Sequence, residues 1–251
     1  GSHPEYYSKE MYDGLAAYLE RGGRLMYLGG NGFYWRVAYH RTLPGAMELR
    51  RAEDGIRDWV AEGGEYYHSF TGEYGGMWSR MGRPIHALAG IGMISQGFDI
   101  SSYYRRKPAA SDPRAAFVFE GIEGDIIGDF GTVGGGAAGI ELDRYDPAQG
   151  SPAHALVLAS SENHTDSYYP SPEEVNNVTS MMDARQNANL RADMVFFETP
   201  QGGAVFSTGS ISWLGSLAHR RGDNPVSRIT ENVLRRFIDP APFLIPGHEN
   251  C

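Results

Sequence analysis

Near the start of the sequence, His3-Pro4-Glu5 places an imidazole and a carboxylate on either side of a proline. Proline fixes φ, so such a segment projects both groups stiffly and with little entropy left to lose. Glu5 also precedes a helix start, where the helix dipole favours the ionised carboxylate that a metal ligand must be. The same stretch, Gly1-Ser2-His3, reads more readily as a cloning scar. Further on, Gly29-Gly30-Asn31-Gly32 brackets one amide side chain with glycines. An exposed Asn31 there can offer a substrate both a donor and an acceptor, or simply occupy a left-handed turn. Phe33 and Tyr34 follow as candidate substrate-pocket walls, with core packing as the alternative. A second glycine-rich run, Gly128–Gly139, lacks the Gly-Lys-Ser/Thr ending of a phosphate loop. It leads into Ile140-Glu141-Leu142, where Glu141 sits between apolar residues in the alternation of a half-buried strand. That places Glu141 as a candidate general base, against the commoner solvated surface glutamate.

Composition narrows the classes these residues can serve. The 251 residues carry a formal net charge of -9. That balance argues against a nucleic-acid phosphate footprint, which needs a basic face. Hydrophobic residues are 41%, enough for a real core. No apolar run approaches a membrane span. The single cysteine, Cys251, excludes an internal disulfide or a cysteine metal cluster and suits a reducing cytoplasm. His154 and His164 have no paired ligand at helical or hairpin spacing, and no Gly-x-Ser-x-Gly elbow supports a serine hydrolase. Glycine, 33 residues, is in excess without a collagen period.

The elements that must position these groups are readable in part. Ser8 is expected to cap a helix carrying Met11, Leu15 and Leu19, stopped by Gly22-Gly23. Arg24–Leu28 reads as a short strand whose carboxyl end carries the Asn31 loop. Asp193–Glu198 and Ala204–Thr208 read as a hairpin, and Pro225–Ile238 as an amphipathic helix. In the middle, short strands are expected at Ile85–Met93, Ala115–Phe119 and His154–Ala159, separated by long connections.

Taken together, His3-Pro4-Glu5-Tyr6, Gly22–Trp35 with its Gly-Gly-Asn-Gly-Phe-Tyr-Trp loop, the Gly203–Trp213 hairpin segment and Ile229–Leu234 resemble the N,N-dimethylformamidase large (beta) subunit family. The resemblance covers nearly the whole chain but only the C-terminal region of that longer subunit. It implies a single α/β domain over residues 1–251, a fragment of a catalytic subunit. The implied layered sheet is flavodoxin-like, related to class I glutamine amidotransferases, with long loop-rich insertions.

The implied activity is an iron-dependent amidohydrolase cleaving small N-substituted formamides. The resemblance makes Glu5 the metal ligand, with His3 its neighbour, Asn31 a substrate-orienting amide and Glu141 an acid/base. It implies a mononuclear, ferric iron with two tyrosine ligands from outside this segment; Tyr6 and Tyr7, adjacent on an extended segment, would point apart and do not replace them. It further implies a small subunit and a second large subunit as partners, a small amide substrate, and natural sequence at Gly1-Ser2-His3. The competing expectation is a non-catalytic subunit-contact or ligand-binding domain, with the aromatic stretch Tyr66–Trp78 as an interface.

Overall fold

The computed structural model describes residues 1–51, 63–175 and 181–247; Cys251 lies outside them. In chain order the strands and helices are β1 (Tyr6–Tyr7), α1 (Lys9–Glu20), β2 (Arg24–Tyr27), β3 (Trp35–Tyr39), β4 (Met47–Leu49), β5 (Gly76–Met77), α2 (His86–Ala89), β6 (Gly92–Arg106), β7 (Ile126–Ile127), β8 (Ala138–Arg144), β9 (Leu156–Glu162), β10 (Tyr169–Pro170), β11 (Asp193–Thr199), β12 (Gly203–Ser207) and α3 (Pro225–Ile238). They form a mixed α/β assembly around two sheets. One runs β1-β3-β4, with β5 also on β3. The other runs β10-β6-β9-β11-β12-β2, with β7 and β8 also on β6. Within the larger sheet only β2 and β12 pair in parallel; the other pairs are antiparallel. The described strands therefore supply little of a parallel layer.

The local chemistry behind the outer elements is direct. The Ser8 hydroxyl accepts the Met11 N–H at 3.3 Å, satisfying one of the free donors that open α1. Gly22, at φ +83°, takes the left-handed turn that ends the helix and brings the chain into β2. Asn224 caps α3 by accepting the Ser227 N–H at 2.9 Å, ahead of Pro225 in its first turn. Val226, Ile229 and Val233 are completely buried from one stripe of α3. Each such burial contributes about 1.5–3 kcal/mol of hydrophobic transfer. The other end of α3 is tied to β2, because the Arg24 guanidinium donates to the carbonyls of Phe237 at 3.0 Å and Ala241 at 2.7 Å.

Two of the three central expectations need correction. Ile85–Met93 is not one strand: His86–Ala89 makes a helical turn, Gly90 at φ +77° ends it, and β6 begins at Gly92. Ala115–Phe119 lies in a 3-10 helix over Pro113–Phe119, because Asp112 accepts the Arg114 N–H as an N-cap and Pro113 follows it. His154–Ala159 corresponds to β9, which starts at Leu156. The outer hairpin and the helix over Pro225–Ile238 form as expected.

The main core packs β6, β8, β9, β11 and β12 against α3 around Tyr104, Leu142, Leu158, Phe196, Phe206 and Trp213, all fully buried. A second, aromatic core of Tyr12, Tyr27, Phe33 and Trp78 lies against α1 and β2. It underlies the segment that carries His3 and Glu5.

Candidate active site

The N-terminal segment is stitched onto the glycine loop by backbone hydrogen bonds. Gly30 N–H donates to the Ser2 carbonyl at 3.1 Å and Phe33 N–H to the Pro4 carbonyl at 2.8 Å. Tyr34 and Trp35 N–H both donate to the Glu5 carbonyl, at 2.9 and 3.0 Å. β1 then continues the contact as a parallel strand on β3. Tyr6 and Tyr7 point opposite ways: Tyr6 outward, Tyr7 inward and stacked on Phe33 with ring centroids 3.9 Å apart. Burial pushes both phenols above their ordinary pKa, away from tyrosinate.

Each glycine of the loop has a steric reason. A Cβ on Gly29 would strike the Ser2 carbonyl. On Gly30 it would lie 2.6 Å from the Glu141 carbonyl oxygen, and on Gly32 2.7 Å from the Tyr27 hydroxyl. Asn31 and Phe33 both take left-handed backbone, at φ 50° and 55°. Asparagine accepts that conformation far more readily than a bulky ring, so Phe33 is held there by its packing.

These contacts bring four of the sequence-derived candidates together. His3 Nε2 lies 2.9 Å from Glu141 Oε2, 3.4 Å from Glu5 Oε2 and 3.3 Å from Asn31 Nδ2. Glu5 Oε1 accepts the Trp35 indole N–H at 3.0 Å, which fixes the carboxylate and leaves Oε2 toward His3. Glu141 Oε2 is buried, and its close contact with His3 is its one polar partner; no hydrogen-bond donor beyond it reaches the oxygen. Asn31 Oδ1 is likewise buried, with no hydrogen-bond donor reaching it. The Glu141 carboxylate, followed by those of Glu5 and Asp143, holds the imidazole pKa above its ordinary value against the opposing effect of burial. Glu141 is 8% exposed rather than on the solvated face its neighbours' alternation suggests. The face it shares with Asp143 is itself covered: His3 lies against Glu141, and the Asn31 loop is bonded to the wholly buried Asp143.

Phe33 and Tyr34 are buried and border, with Ser79, Ile85, His86 and Met93, a cavity of about 20 Å³, the size of a single water. A larger cavity of about 660 Å³ between the ends of α1 and α3 is lined by Tyr18, Arg24, Leu234 and Phe237 and shares none of the clustered residues.

Two functional candidates escaped the sequence reading. Asp143, two residues along β8 from Glu141, is wholly buried; its Oδ1 accepts the Asn31 N–H at 2.8 Å. Its Oδ2 accepts the Tyr27 O–H at 2.7 Å, and the Tyr27 oxygen in turn accepts the Gly32 N–H at 2.7 Å. Burial pushes the Asp143 carboxyl up to about 7 despite those two donors. The Glu-x-Asp spacing was the available signal, since i and i+2 on a strand share a face.

Chemically, the cluster combines an imidazole able to exchange a proton, two carboxylates beside it and an amide with an uncommitted oxygen. Hard oxygen donors of this kind suit a ferric ion better than zinc, and two oxygens there, Asn31 Oδ1 and Glu141 Oε2, are buried with no further hydrogen-bond donor. Among the described residues no group of three or more His, Cys, Asp or Glu side chains is arranged to hold a metal. The described residues of the cluster therefore do not by themselves complete a metal site.

Residues 1–226 match the family described as "N,N-dimethylformamidase beta subunit-like, C-terminal". The N,N-dimethylformamidase beta subunit of Paracoccus aminophilus is 45% identical over 247 residues, covering 97% of this chain and 32% of that protein. The beta subunit of the same name from an Alcaligenes species is 45% identical over 245 residues, covering 96% of this chain and 32% of its own length. This chain thus spans about a third of the length of the curated relatives it matches. The chain belongs to the N,N-dimethylformamidase beta subunit-like C-terminal family.

Proposed function

We propose that this chain is the C-terminal catalytic part of an iron-dependent amidohydrolase that cleaves small N-substituted formamides, N,N-dimethylformamide to dimethylamine and formate. The observation that carries the reading is the convergence of His3, Glu5, Asn31 and Glu141, drawn from three separate segments, on one imidazole nitrogen. The relatives' name, dimethylformamidase beta subunit, points to the same reaction class and to a multi-subunit assembly. A small subunit and a second large subunit complete the proposed assembly. No helix of the described residues is long and apolar enough to cross a membrane; with one cysteine in the sequence, a reducing cytoplasm is the proposed compartment. The proposed layering is flavodoxin-like; of the larger sheet's described pairs this chain supplies one parallel pair to it, β2–β12, reached through α1.

Iron bound at Glu5 would supply Lewis acidity at the formyl carbonyl. The chain's own residues do the rest. The Trp35 indole N–H fixes one Glu5 oxygen, so the other is presented in a single orientation. Glu141 and His3 form the proton-transfer pair: one proton leaves the attacking water, and one must reach the amine nitrogen, because an amide anion is too poor a leaving group to depart unprotonated. The acidic neighbours of His3 favour its charged form, which suits delivery of that proton. Asn31 directs its amide toward the same point and can donate Nδ2–H to the oxygen on which charge develops.

The test is metal analysis and turnover of the full-length subunit. Stoichiometric iron, and its loss on Glu5→Ala, are expected. Full iron occupancy in that variant would remove Glu5 from the site. A protein without stoichiometric metal would favour a subunit-contact or ligand-binding domain instead, and activity surviving chelation and iron depletion would favour a metal-free amidase.

A further inference from the structure

We propose that Asp143 and Tyr27 are a positioning pair that sets where the Asn31 amide stands relative to His3. The inference rests on the proposed role of Asn31 and deepens it.

Asn31 is held through its own backbone. Its N–H donates to Asp143 Oδ1, and the next residue's N–H donates to Tyr27, which donates to Asp143 Oδ2. The hydrogen bonds close a ring around the left-handed residue, so the φ of 50° at Asn31 is fixed on both sides. The side chain is left outside that ring, with Nδ2 toward His3 and Oδ1 unclaimed. The same strand carries both acidic anchors. Glu141 contacts His3, and Asp143, on the same face, holds the loop of Asn31. β8 therefore acts as a ruler: the distance between its two carboxylates fixes the separation of imidazole and amide. Tyr27 lies at the end of β2, packed in the aromatic core, and cannot follow the loop if the loop moves. The close approaches of Gly30 to the Glu141 carbonyl and of Gly32 to the Tyr27 ring leave no space for another arrangement. Neither Asp143 nor Tyr27 needs to touch substrate for this role.

The experiment is a double-mutant cycle on kcat with N,N-dimethylformamide, in the full-length iron-loaded subunit within its assembly. Asp143→Asn keeps an acceptor for the Asn31 N–H but reverses the bond to Tyr27; Tyr27→Phe removes the second link outright. Misplacement of a catalytic amide by about an ångström costs up to roughly a hundredfold. Each variant is therefore expected to lower kcat by about ten- to a hundredfold, with iron content and KM unchanged. In an Asn31→Ala background the same substitution should change kcat by less than about twofold, because there is no amide left to position. Equal losses in both backgrounds would overturn the pair as positioning residues, as would unchanged kcat in a soluble Asp143→Asn protein. If Asp143→Asn does not fold, the Tyr27→Phe cycle decides on the same criteria. Unchanged kcat in Asn31→Ala alone would overturn both this inference and the role of Asn31 beneath it. A loss there without coupling would overturn this inference alone.

Discussion

Replacing Asp143 with asparagine should make the protein more stable at alkaline pH while leaving it little changed in acid. The carboxyl is wholly buried and its pKa stands at about 7 instead of 3.8, because burial disfavours the ionised form more than its two donors favour it. The folded state therefore holds this proton more tightly than the unfolded chain. The sign follows: the group's contribution is fully present below about pH 4 and is lost as pH rises through about 7. Three pKa units correspond to about 4 kcal/mol, and the part lost between about pH 5 and pH 8 is about 3 kcal/mol. An amide carries no such penalty. It does reverse the Tyr27 hydrogen bond, at a cost of about 1 kcal/mol that is present at both pH values. Urea unfolding of the full-length subunit and its Asp143→Asn variant, at about pH 5 and about pH 8, gives the double difference in which other titrating groups cancel. The variant should gain about 2–3 kcal/mol relative to the parent between the two. A difference that stays the same at both pH values refutes the reasoning, because Asp143 would then be ionised in the folded state at both.

Three further substitutions test other joints. Gly30→Ala drives a Cβ to 2.6 Å from the Glu141 carbonyl oxygen and 3.2 Å from the Ile211 nitrogen, both backbone atoms. It should cost about 1–3 kcal/mol and lower turnover, read from the urea midpoint and from kcat together. Ser8→Ala removes the α1 cap and should cost about 1 kcal/mol in the same unfolding assay, with kcat unchanged. Arg114 donates to both Glu198 oxygens, and Glu198 is 3% exposed. Arg114→Met should therefore destabilise by about 3–5 kcal/mol, a loss that Glu198→Gln in the same chain partly restores.

Where local chemistry decides structure, the residues announced it. Ser8 before an apolar helical stripe, Asn224-Pro225 before another, and Pro200–Gly203 between two apolar runs each carry their own start or stop signal. Ala115–Phe119 is as apolar as a strand, yet the Asp112-Pro113 cap ahead of it outweighs composition and winds it into a 3-10 helix. Ile85–Met93 hides a turn that only the left-handed Gly90 reveals. At the site, His3, Glu5, Asn31 and Glu141 were legible as residue types in stiff or glycine-bracketed settings. Their meeting was not, because it depends on β1 pairing with β3 and on β8 passing beneath the Asn31 loop, separations of 30 to more than 100 residues. Asp143 was missed for a different reason. A carboxylate two residues from another reads as surface charge until the strand carrying both is found in the core.

The most direct measurement is kcat for N,N-dimethylformamide in the full-length, iron-replete Glu141→Gln variant, with iron content determined on the same sample. If Glu141 and His3 move the protons of amide hydrolysis, turnover falls by about a hundredfold or more while iron is retained. Unchanged turnover with iron in place would contradict the account.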